Sequence, residues 1–396
     1  MPRISPFVGL VFDRGRVGRL DLVTTPPYDT VTSQERGAFL DASPYNVIRL
    51  DLAGDAPGED KYMGAAATLR GWRDEGALVP TSEPAYFPYE MRFSFHGRKR
   101  RVRGLVCLVE LEPWGGSIVP HERTMAGPIE DRLQLLRATR ANLSCVYAVY
   151  PGPAAELAAA LADATSDDAP CRAVDPAGVE HSMWVVPGYG VPTEALRDRP
   201  LLIADGHHRY ATALRFREEM RELHGPGPWD HMMMLVVDET TEDPPVFPYH
   251  RLVEDKAPVE YKAPVAEGTR VEDLDHLLAR LDDDALVFGV VTADAAGVAY
   301  RVSTLPGPPP TVRALHERLL DGRVPDAAMR FTRDAREAER AVAEGSAAAA
   351  FVLPPTSAER IRSVVAAGQI LPQKSTFFWP KPLTGMVIRP LDPREG

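Results

Sequence analysis

The feature that most constrains the fold is a short apolar run that ends at an Asp-Gly pair and continues in a helical pattern. Residues 201–204 read Leu-Leu-Ile-Ala, and Asp205-Gly206-His207-His208-Arg209 follows directly. From residue 210 onward, apolar residues recur at the spacing of an amphipathic helix, with charged residues between them. We therefore predict a strand, a tight turn and a helix, with Asp205 as the N-cap residue.

A turn of this kind is suited to bind an anion. The first N–H groups of a helix lack intrahelical partners and lie at the positive end of its dipole. Gly206 has no Cβ that would block a ligand, and Arg209 adds a charge for a phosphoryl oxygen. His207 and His208 are candidate general acids or bases. A capped surface helix whose histidines bond to neighbouring loops remains the structural alternative.

The Ala204–Tyr210 stretch resembles the signature of the bacterial and archaeal "domain of unknown function 1015" family. The segments that support this resemblance are Pro26-Pro27-Tyr28-Asp29, Asn46-Val47-Ile48-Arg49-Leu50, His121-Glu122-Arg123-Thr124, Asn142-Leu143-Ser144 and Lys374-Ser375-Thr376-Phe377-Phe378. More distantly, the turn resembles the Gly-x-x-Arg turn of the ParB/sulfiredoxin-like superfamily, which includes free-serine kinases and nucleotide hydrolases. His207 stands where sulfiredoxin has its cysteine, so that reaction is not expected.

The resemblance implies an α/β (mixed α+β) fold, with a ParB/sulfiredoxin-like core that carries insertions. We predict a core over residues 1–253 and a smaller α/β region over residues 254–396, whose tail returns to the cleft of the core. Residues 256–270 are rich in proline and charge and predict a linker. The apolar run 46–50 predicts a buried strand.

Composition narrows the classes of partner. The net charge of −11 and the pI near 5.5 argue against a nucleic-acid partner, and the basic residues 98–103 are interpreted as the solvated end of a hairpin. The three cysteines show no Cys-x-x-Cys spacing, so we expect them to be reduced and structural. No apolar run reaches about 18 residues, which predicts a cytoplasmic protein that neither spans a membrane nor is secreted.

Polar residues on loops supply the remaining candidates for a site. Tyr28 and Asp29 follow two prolines on a stiff loop, and Glu122 and Asp29 are the candidate base carboxylates. Candidate pocket residues are Tyr28, His121, Tyr210, His250 and Arg251. Candidate phosphate or nucleotide ligands are Asp205, Gly206, His207, Arg209, Arg123, Lys374, Ser375 and Thr376.

Three classes of function fit these residues. The first is phosphoryl transfer from a nucleotide (ATP or ADP) with Mg²⁺ to the hydroxyl of a small metabolite, for which the superfamily resemblance suggests free serine. The second is a hydrolase or lyase with zinc or manganese, and the third is a nucleotide-binding regulator. The Asp-Gly-His-His-Arg turn and the lack of closely spaced metal ligands favour the first. We expect Arg209→Ala to weaken phosphate binding without unfolding the protein. The sequence leaves the metal and the oligomeric state open.

Overall fold

The computed structural model describes residues 1–54, 60–124, 126–166, 168–189, 191–254, 268–295 and 297–391. These residues form two compact units. Unit 1 comprises Met1–Pro120, Thr124–Pro244 and the described residues from Pro380 onward, and unit 2 comprises His121–Arg123 and Pro245–Trp379. A single cut between residues 253 and 254 does not describe this division, because both units are discontinuous in sequence. Most of the predicted linker 256–270 lies outside the described residues.

The strands of unit 1 are β1 Ile4–Ser5, β2 Leu10–Phe12, β3 Leu78–Pro80, β4 Ala85–Phe95, β5 Arg98–Glu110, β6 Ile118–Val119, β7 Ala141–Asn142, β8 Val146–Tyr150, β9 Cys171–Val174, β10 Glu180–Met183, β11 Val186–Pro187, β12 Leu201–Asp205, β13 His231–Asp238 and β22 Arg389–Pro390. The main sheet has the strand order β6–β12–β8–β13–β5–β4–β10–β9, with β1 beside β5 and β11 beside β4. β8 pairs with β13 in parallel and with β12 antiparallel, so the sheet is mixed.

Helices cover the sheet of unit 1 and complete its core. They are α1 Arg14–Val17, α2 Ser33–Ala42, α3 Ile48–Asp51, α4 Lys61–Asp74, α5 Ala126–Thr139, α6 Ala155–Ala164, α7 His207–His224 and α8 Glu239–Glu242. Tyr210 and Leu214 of α7 pack on strand residues such as Ile203 and Met234. On its other side α7 packs against α5 through Phe216 and Leu133. The predicted strand, turn and helix around residue 206 are therefore confirmed, and α7 is held between the sheet and α5.

The prediction of a strand over residues 46–50 is wrong, because these residues lead into the short helix α3. Asn46 is fully buried, and its side-chain Oδ1 accepts the N–H of Ile48 at 2.9 Å. Its Nδ2 donates to the carbonyl of Leu22 at 2.8 Å. The asparagine thus fixes a helical start in place of an extended chain.

Unit 2 has its own sheet, in the order β16–β18–β17–β20–β15–β19, and a two-stranded ladder of β14 and β21. Its strands are β14 Val246–Pro248, β15 His250–Val253, β16 Thr269–Val271, β17 Val287–Asp294, β18 Gly297–Thr304, β19 Met329–Thr332, β20 Ala349–Val352 and β21 Thr376–Phe378, and its α-helices are α9 Leu274–Leu278, α10 Thr311–Leu315, α11 Ala335–Ala343 and α12 Ala358–Ala366. Leu252, Leu277, Val291 and Val342 lie in its core. Both units combine helices and sheets, which confirms the predicted mixed α/β class.

All three cysteines, Cys107, Cys145 and Cys171, are free and buried. Within the described part of the chain, no helix is long and apolar enough to cross a membrane.

Candidate functional site

The turn between β12 and α7 places Arg209 in the interior of unit 1. The Arg209 side chain is 9% exposed, and its Nη2 lies 2.5 Å from Oδ2 of Asp205, one helical turn earlier. Its Nη1 donates to Ser144 Oγ at 2.9 Å and to the carbonyl of Cys145. Burial alone would lower the pKa of Arg209, but the carboxylates of Asp205 and Asp29 raise it. Arg209 is therefore a charged group held rigidly in a poorly solvated position.

Position 206 favours glycine because its φ is positive and because the side chain of Arg209 lies close to it. The structure corrects two expectations at this position. Gly206 itself is the N-cap residue, with φ of +93°, and no side chain caps the helix, so the prediction of Asp205 as N-cap is wrong. A Cβ on Gly206 would lie 3.0 Å from Nε and Nη2 of Arg209. The space that the missing Cβ leaves is thus filled by the guanidinium of Arg209 and is not open to a ligand. Asp205 ends β12 and directs its carboxylate to Arg209 and Lys381.

Lys381 links two carboxylates that are far apart in sequence. Its Nζ donates to Oδ1 of Asp205 and lies 3.7 Å from Oδ2 of Asp29. The Lys381 side chain is 7% exposed and that of Asp29 is 28% exposed. Asp29 thus lies at the more solvated end of this ion network.

A second ion pair lies on the α5 side. Arg132 donates to the carboxylate and to the carbonyl of Asp51, both at 2.9 Å. The guanidinium also stacks on the ring of Tyr28, with its carbon 4.2 Å from the ring centroid. Burial raises the pKa of Asp51, against the opposing charges of Arg132 and Arg209. Burial also raises the pKa of Tyr28 far above its usual value.

Both ion pairs border one cavity in unit 1. We call Asp29, Asp51, Arg132, Asp205, Arg209 and Lys381 the charged cluster. The cavity has a volume of about 50 Å³ and is lined by Asp51, Arg132, Leu135, Leu136, Ala141, Asn142, Leu143, Ser144, Arg209, Thr212 and Met232. Charged groups that line a cavity, and whose pKa values are shifted by burial, are typical of functional sites. The cost of removing two charges from water offsets much of the attraction between them. A buried ion pair is therefore weak evidence for a purely stabilising role.

The other predicted residues of α7 have different surroundings. His207 is buried and His208 is partly exposed, both in the first turn of the helix. The hydroxyl of Tyr210 donates to the carbonyl of Glu112 at 2.8 Å and accepts its N–H at 3.1 Å. Tyr210 therefore has a structural role in the core, and it does not line the cavity.

Glu122 lies in unit 2, where a turn of the chain binds its carboxylate. Oε2 accepts the N–H of Lys374, and Oε1 accepts the N–H groups of Ser375 and Thr376, at 2.8–3.0 Å. The hydroxyl of Thr376 donates to the same carboxylate at 3.0 Å and hydrogen-bonds with Nε2 of His121 at 2.6 Å. Residues 374–376, which the sequence suggested as phosphate or nucleotide ligands, thus bind a carboxylate of the protein itself through their backbone N–H groups.

The predicted His250-Arg251 pair is also buried in unit 2. Nδ1 of His250 accepts the N–H of Leu353 at 3.1 Å. Arg251 is fully buried, and its Nε donates to Nε2 of His316 at 3.2 Å. Burial lowers the pKa of Arg251 to about 9. Arg123 is exposed, and its N–H donates to the carbonyl of Leu371 at 3.3 Å.

Sequence reasoning missed several members of the charged cluster. Asp51 did not stand out in the sequence, because the residues before it resemble a buried strand. Arg132 did not stand out either, because it lies within a regular helical pattern. Lys381 lies 176 residues from Asp205, and nothing local in the sequence links the two. Among the described residues, no group of three or more His, Cys, Asp or Glu side chains is arranged to hold a metal ion.

The fold and the site define a mixed α/β protein whose larger unit contains a small cavity bordered by two buried arginines. The chain belongs to the family described as "Protein of unknown function (DUF1015)", which matches residues 4–317. This confirms the family resemblance seen in the sequence. No curated protein matches the chain.

Solved structures give distant resemblances. A free serine kinase in complex with AMP aligns with a TM-score of 0.38 and 14% identity, over 69% of this chain and 86% of its own. A conserved hypothetical protein from Pyrococcus furiosus aligns with a TM-score of 0.38 and 14% identity, over 69% and 89%. SbnI from Staphylococcus aureus, truncated at its C-terminus, aligns with a TM-score of 0.36 and 11% identity, over 68% and 82%.

Proposed function

We propose that the protein is a phosphotransferase that moves a phosphoryl group from a nucleotide to the hydroxyl of a small metabolite. The observation that carries this proposal is the cavity of unit 1, which two buried guanidinium groups border together. Arg132 and Arg209 reach it from the facing helices α5 and α7. Guanidinium groups pair with phosphoryl oxygens through two parallel hydrogen bonds, and this pairing is stronger where water is excluded.

The size and lining of the cavity fit a phosphoryl group. A volume of about 50 Å³ has room for roughly four water molecules, which is close to the size of one phosphoryl group. Asn142, Ser144 and Thr212 add neutral hydrogen-bonding groups to the lining. Asp51 and Asp205 hold the two guanidinium groups in fixed orientations, so little reorganisation is needed when an anion binds.

Asp29 is the base that we assign to this reaction. An alcohol is a poor nucleophile near pH 7 unless a base accepts its proton. Asp29 is the more solvent-exposed of the two carboxylates that contact Lys381, and the Lys381 ammonium lies 3.7 Å from Asp29 Oδ2. Glu122, the other candidate from the sequence, already accepts four hydrogen bonds from residues 374–376. That arrangement supports a structural role for Glu122.

A magnesium ion fits this site only in part. Mg²⁺ usually binds to one or two carboxylates together with the phosphates of the substrate. Asp29 and Asp205 are the carboxylates that would hold it, and it would neutralise phosphate charge when bound. The ammonium of Lys381 already supplies a positive charge to both carboxylates.

Phosphorus NMR of the protein with ATP, magnesium and a panel of hydroxyl acceptors tests the proposal. Free serine is the first acceptor to test, because residues 205–209 resemble the turn of the serine-kinase relatives. We expect a new phosphomonoester signal, and we expect Asp29→Asn to lower its rate of formation about a hundredfold or more. The matched control is Asp21→Asn, since Asp21 pairs with Arg19 in a turn outside the cluster.

Two results would contradict the proposal in different ways. Nucleotides that raise the melting temperature without any new phosphoester would identify a nucleotide-binding regulator. Equal turnover in Asp29→Asn and Asp21→Asn would support the reaction but show that Asp29 is not its base.

A further inference from the structure

A separate group of cations lies on the hairpin of β4 and β5 in unit 1. Arg92 of β4 lies directly opposite Arg101 of β5, and Ser94 lies opposite Lys99. Residues two apart on a strand point to the same side of a sheet. Arg92, Lys99 and Arg101 therefore share one face, which we call the basic face.

The cations of the basic face repel one another. Like charges directly opposite each other on paired strands lower the stability of a sheet. Nε of Arg92 lies 2.5 Å from Oε1 of the buried Glu90, which compensates one of the three charges. Lys99 and Arg101 are exposed, and neither forms a direct ion pair within the described residues. The charge of Arg101 acts on the carboxylate of Glu242 without such a pair. Two of the three cations thus have no carboxylate in direct contact.

These side chains border a surface depression of ligand size. Its volume is about 480 Å³, and its lining is Arg92, Phe93, Ser94, Lys99, Arg100, Arg101, Gly178 and Glu180. Small-molecule sites usually have volumes of about 300–1,000 Å³. Gly178 has φ of +78° and open space where a Cβ would be, so the turn before β10 leaves one side of the depression clear. None of the lining residues belongs to the charged cluster.

We infer that this depression binds a small anion that carries two or more phosphoryl groups. Three cations on adjacent strands can contact neighbouring phosphoryl groups, and Arg92 and Arg101 can each donate two parallel hydrogen bonds. Charges of the protein more than about 8–10 Å away are screened at physiological ionic strength, so the net charge of −11 does not prevent such a short contact.

The chemistry of the depression favours a small anion over a nucleic acid. Proteins that bind single-stranded nucleic acids stack the bases on exposed aromatic rings. Phe93, the aromatic residue of the lining, is only 5% exposed and offers no such surface. A long polyanion would also extend over the acidic remainder of the chain.

Titration calorimetry of the full chain with inorganic pyrophosphate and tripolyphosphate tests this inference. We expect Lys99→Gln and Arg101→Gln each to weaken binding about threefold to tenfold. Glu180 lies opposite Arg92 and is the exposed carboxylate of the lining, so Glu180→Gln should tighten binding. Arg98→Gln is the matched control, because Arg98 lies opposite Phe95 and points to the other side of the same strand. Its affinity should stay within about twofold of wild type.

A second readout separates binding from folding. Removing one of two opposed like charges should leave the melting temperature of Arg101→Gln equal to or above that of the wild type. The phosphotransferase activity should be unchanged in Lys99→Gln and Arg101→Gln, so the two proposals fail independently. Equal affinities in Arg101→Gln and Arg98→Gln would overturn the inference. Tighter binding of a single-stranded oligonucleotide than of tripolyphosphate would also overturn it, in favour of a nucleic-acid surface.

Discussion

Arg209 contributes both to the proposed site and to the stability of the fold. It borders the cavity proposed for a phosphoryl group, and it also fixes the start of α7 through Asp205, Ser144 and the carbonyl of Cys145. Removing its side chain would leave these buried acceptors without this donor, and Asp205 would keep its contact with Lys381. The sequence suggested that Arg209→Ala would affect binding alone, and the burial of the guanidinium changes that expectation.

We predict that Arg209→Ala lowers the free energy of unfolding by about 3 kcal/mol, because it breaks a buried ion pair and leaves buried acceptors without a donor. Urea unfolding followed by circular dichroism measures this change. The control is Arg197→Ala, which breaks an exposed pair with Glu194 and should cost less than about 1 kcal/mol. Equal losses in both variants would show that Arg209 has no special structural role.

At the level of residues, the sequence predicts contacts between groups that lie close together along the chain. The pair of Asp205 and Arg209 is separated by one helical turn, so strand, turn and helix together bring the two charges into contact. The binding of Glu122 by residues 374–376 could not be predicted in the same way. These partners are more than 250 residues away, and the hydrogen bonds from residues 374–376 come mainly from backbone N–H groups, which nearly any sequence carries.

At the level of elements, short apolar runs were the ambiguous cases. The long hairpin of β4 and β5 and the helix α7 were predictable, since each shows several periods of its pattern. Residues 46–50 show less than two turns of a helix, so their pattern fits a buried strand equally well. The deciding contacts are the hydrogen bonds of Asn46 to Ile48 and to Leu22, and the second of these is tertiary.

The turn that binds Glu122 depends on an unusual backbone conformation at one residue. Lys374 has φ of +53°, in the left-handed region that a residue with a Cβ rarely adopts. The N–H groups of residues 374–376 point to one carboxylate, as in the backbone concavities that bind anions. The hydrogen bonds to Glu122 therefore offset a local cost at Lys374.

We predict that Lys374→Gly is more stable than Lys374→Ala by about 1 kcal/mol, because glycine adopts the left-handed conformation without the Cβ penalty. Both variants lose the ammonium group, which lies 5.4 Å from the ring centroid of Tyr249, so the comparison isolates the backbone. Thermal or urea unfolding of the two variants measures the difference. Lower stability in the glycine variant would contradict the assignment of strain to this residue.

At the level of the whole molecule, the charged cluster draws on residues from distant parts of the chain. Asp29, Asp51, Arg132 and Asp205 precede residue 245, and Lys381 comes from the tail that rejoins unit 1. Local periodicity carries no information about which distant segments meet. The class of fold and the main turn were therefore predictable, whereas the membership of the cluster and the discontinuous units required tertiary structure.

The pH dependence of stability is a property of unit 2 as a whole, because His250 and His316 are both buried beside Arg251. Burial, with a further contribution from the charge of Arg251, lowers the pKa of each histidine to about 4. In the unfolded chain their pKa is about 6.5, so the unfolded state binds more protons between these two values. The free energy of unfolding should thus have its full value above pH 6.5 and fall as the pH decreases through 4, by about 3 kcal/mol per histidine.

Urea unfolding of the full chain between pH 7.5 and pH 4 measures this dependence. His250→Asn and His316→Gln retain an acceptor near the Nδ1 and Nε2 positions that now accept hydrogen bonds, while they remove the titrating ring. Each variant should therefore have a shallower fall of stability with acid than the wild type, whatever its stability at pH 7.5. His96→Gln alters an exposed histidine at the turn of the β4–β5 hairpin and should keep the wild-type slope. If all three variants kept that slope, the acid sensitivity would have to come from other groups, such as Asp131, whose pKa Arg132 lowers against the opposing effect of burial.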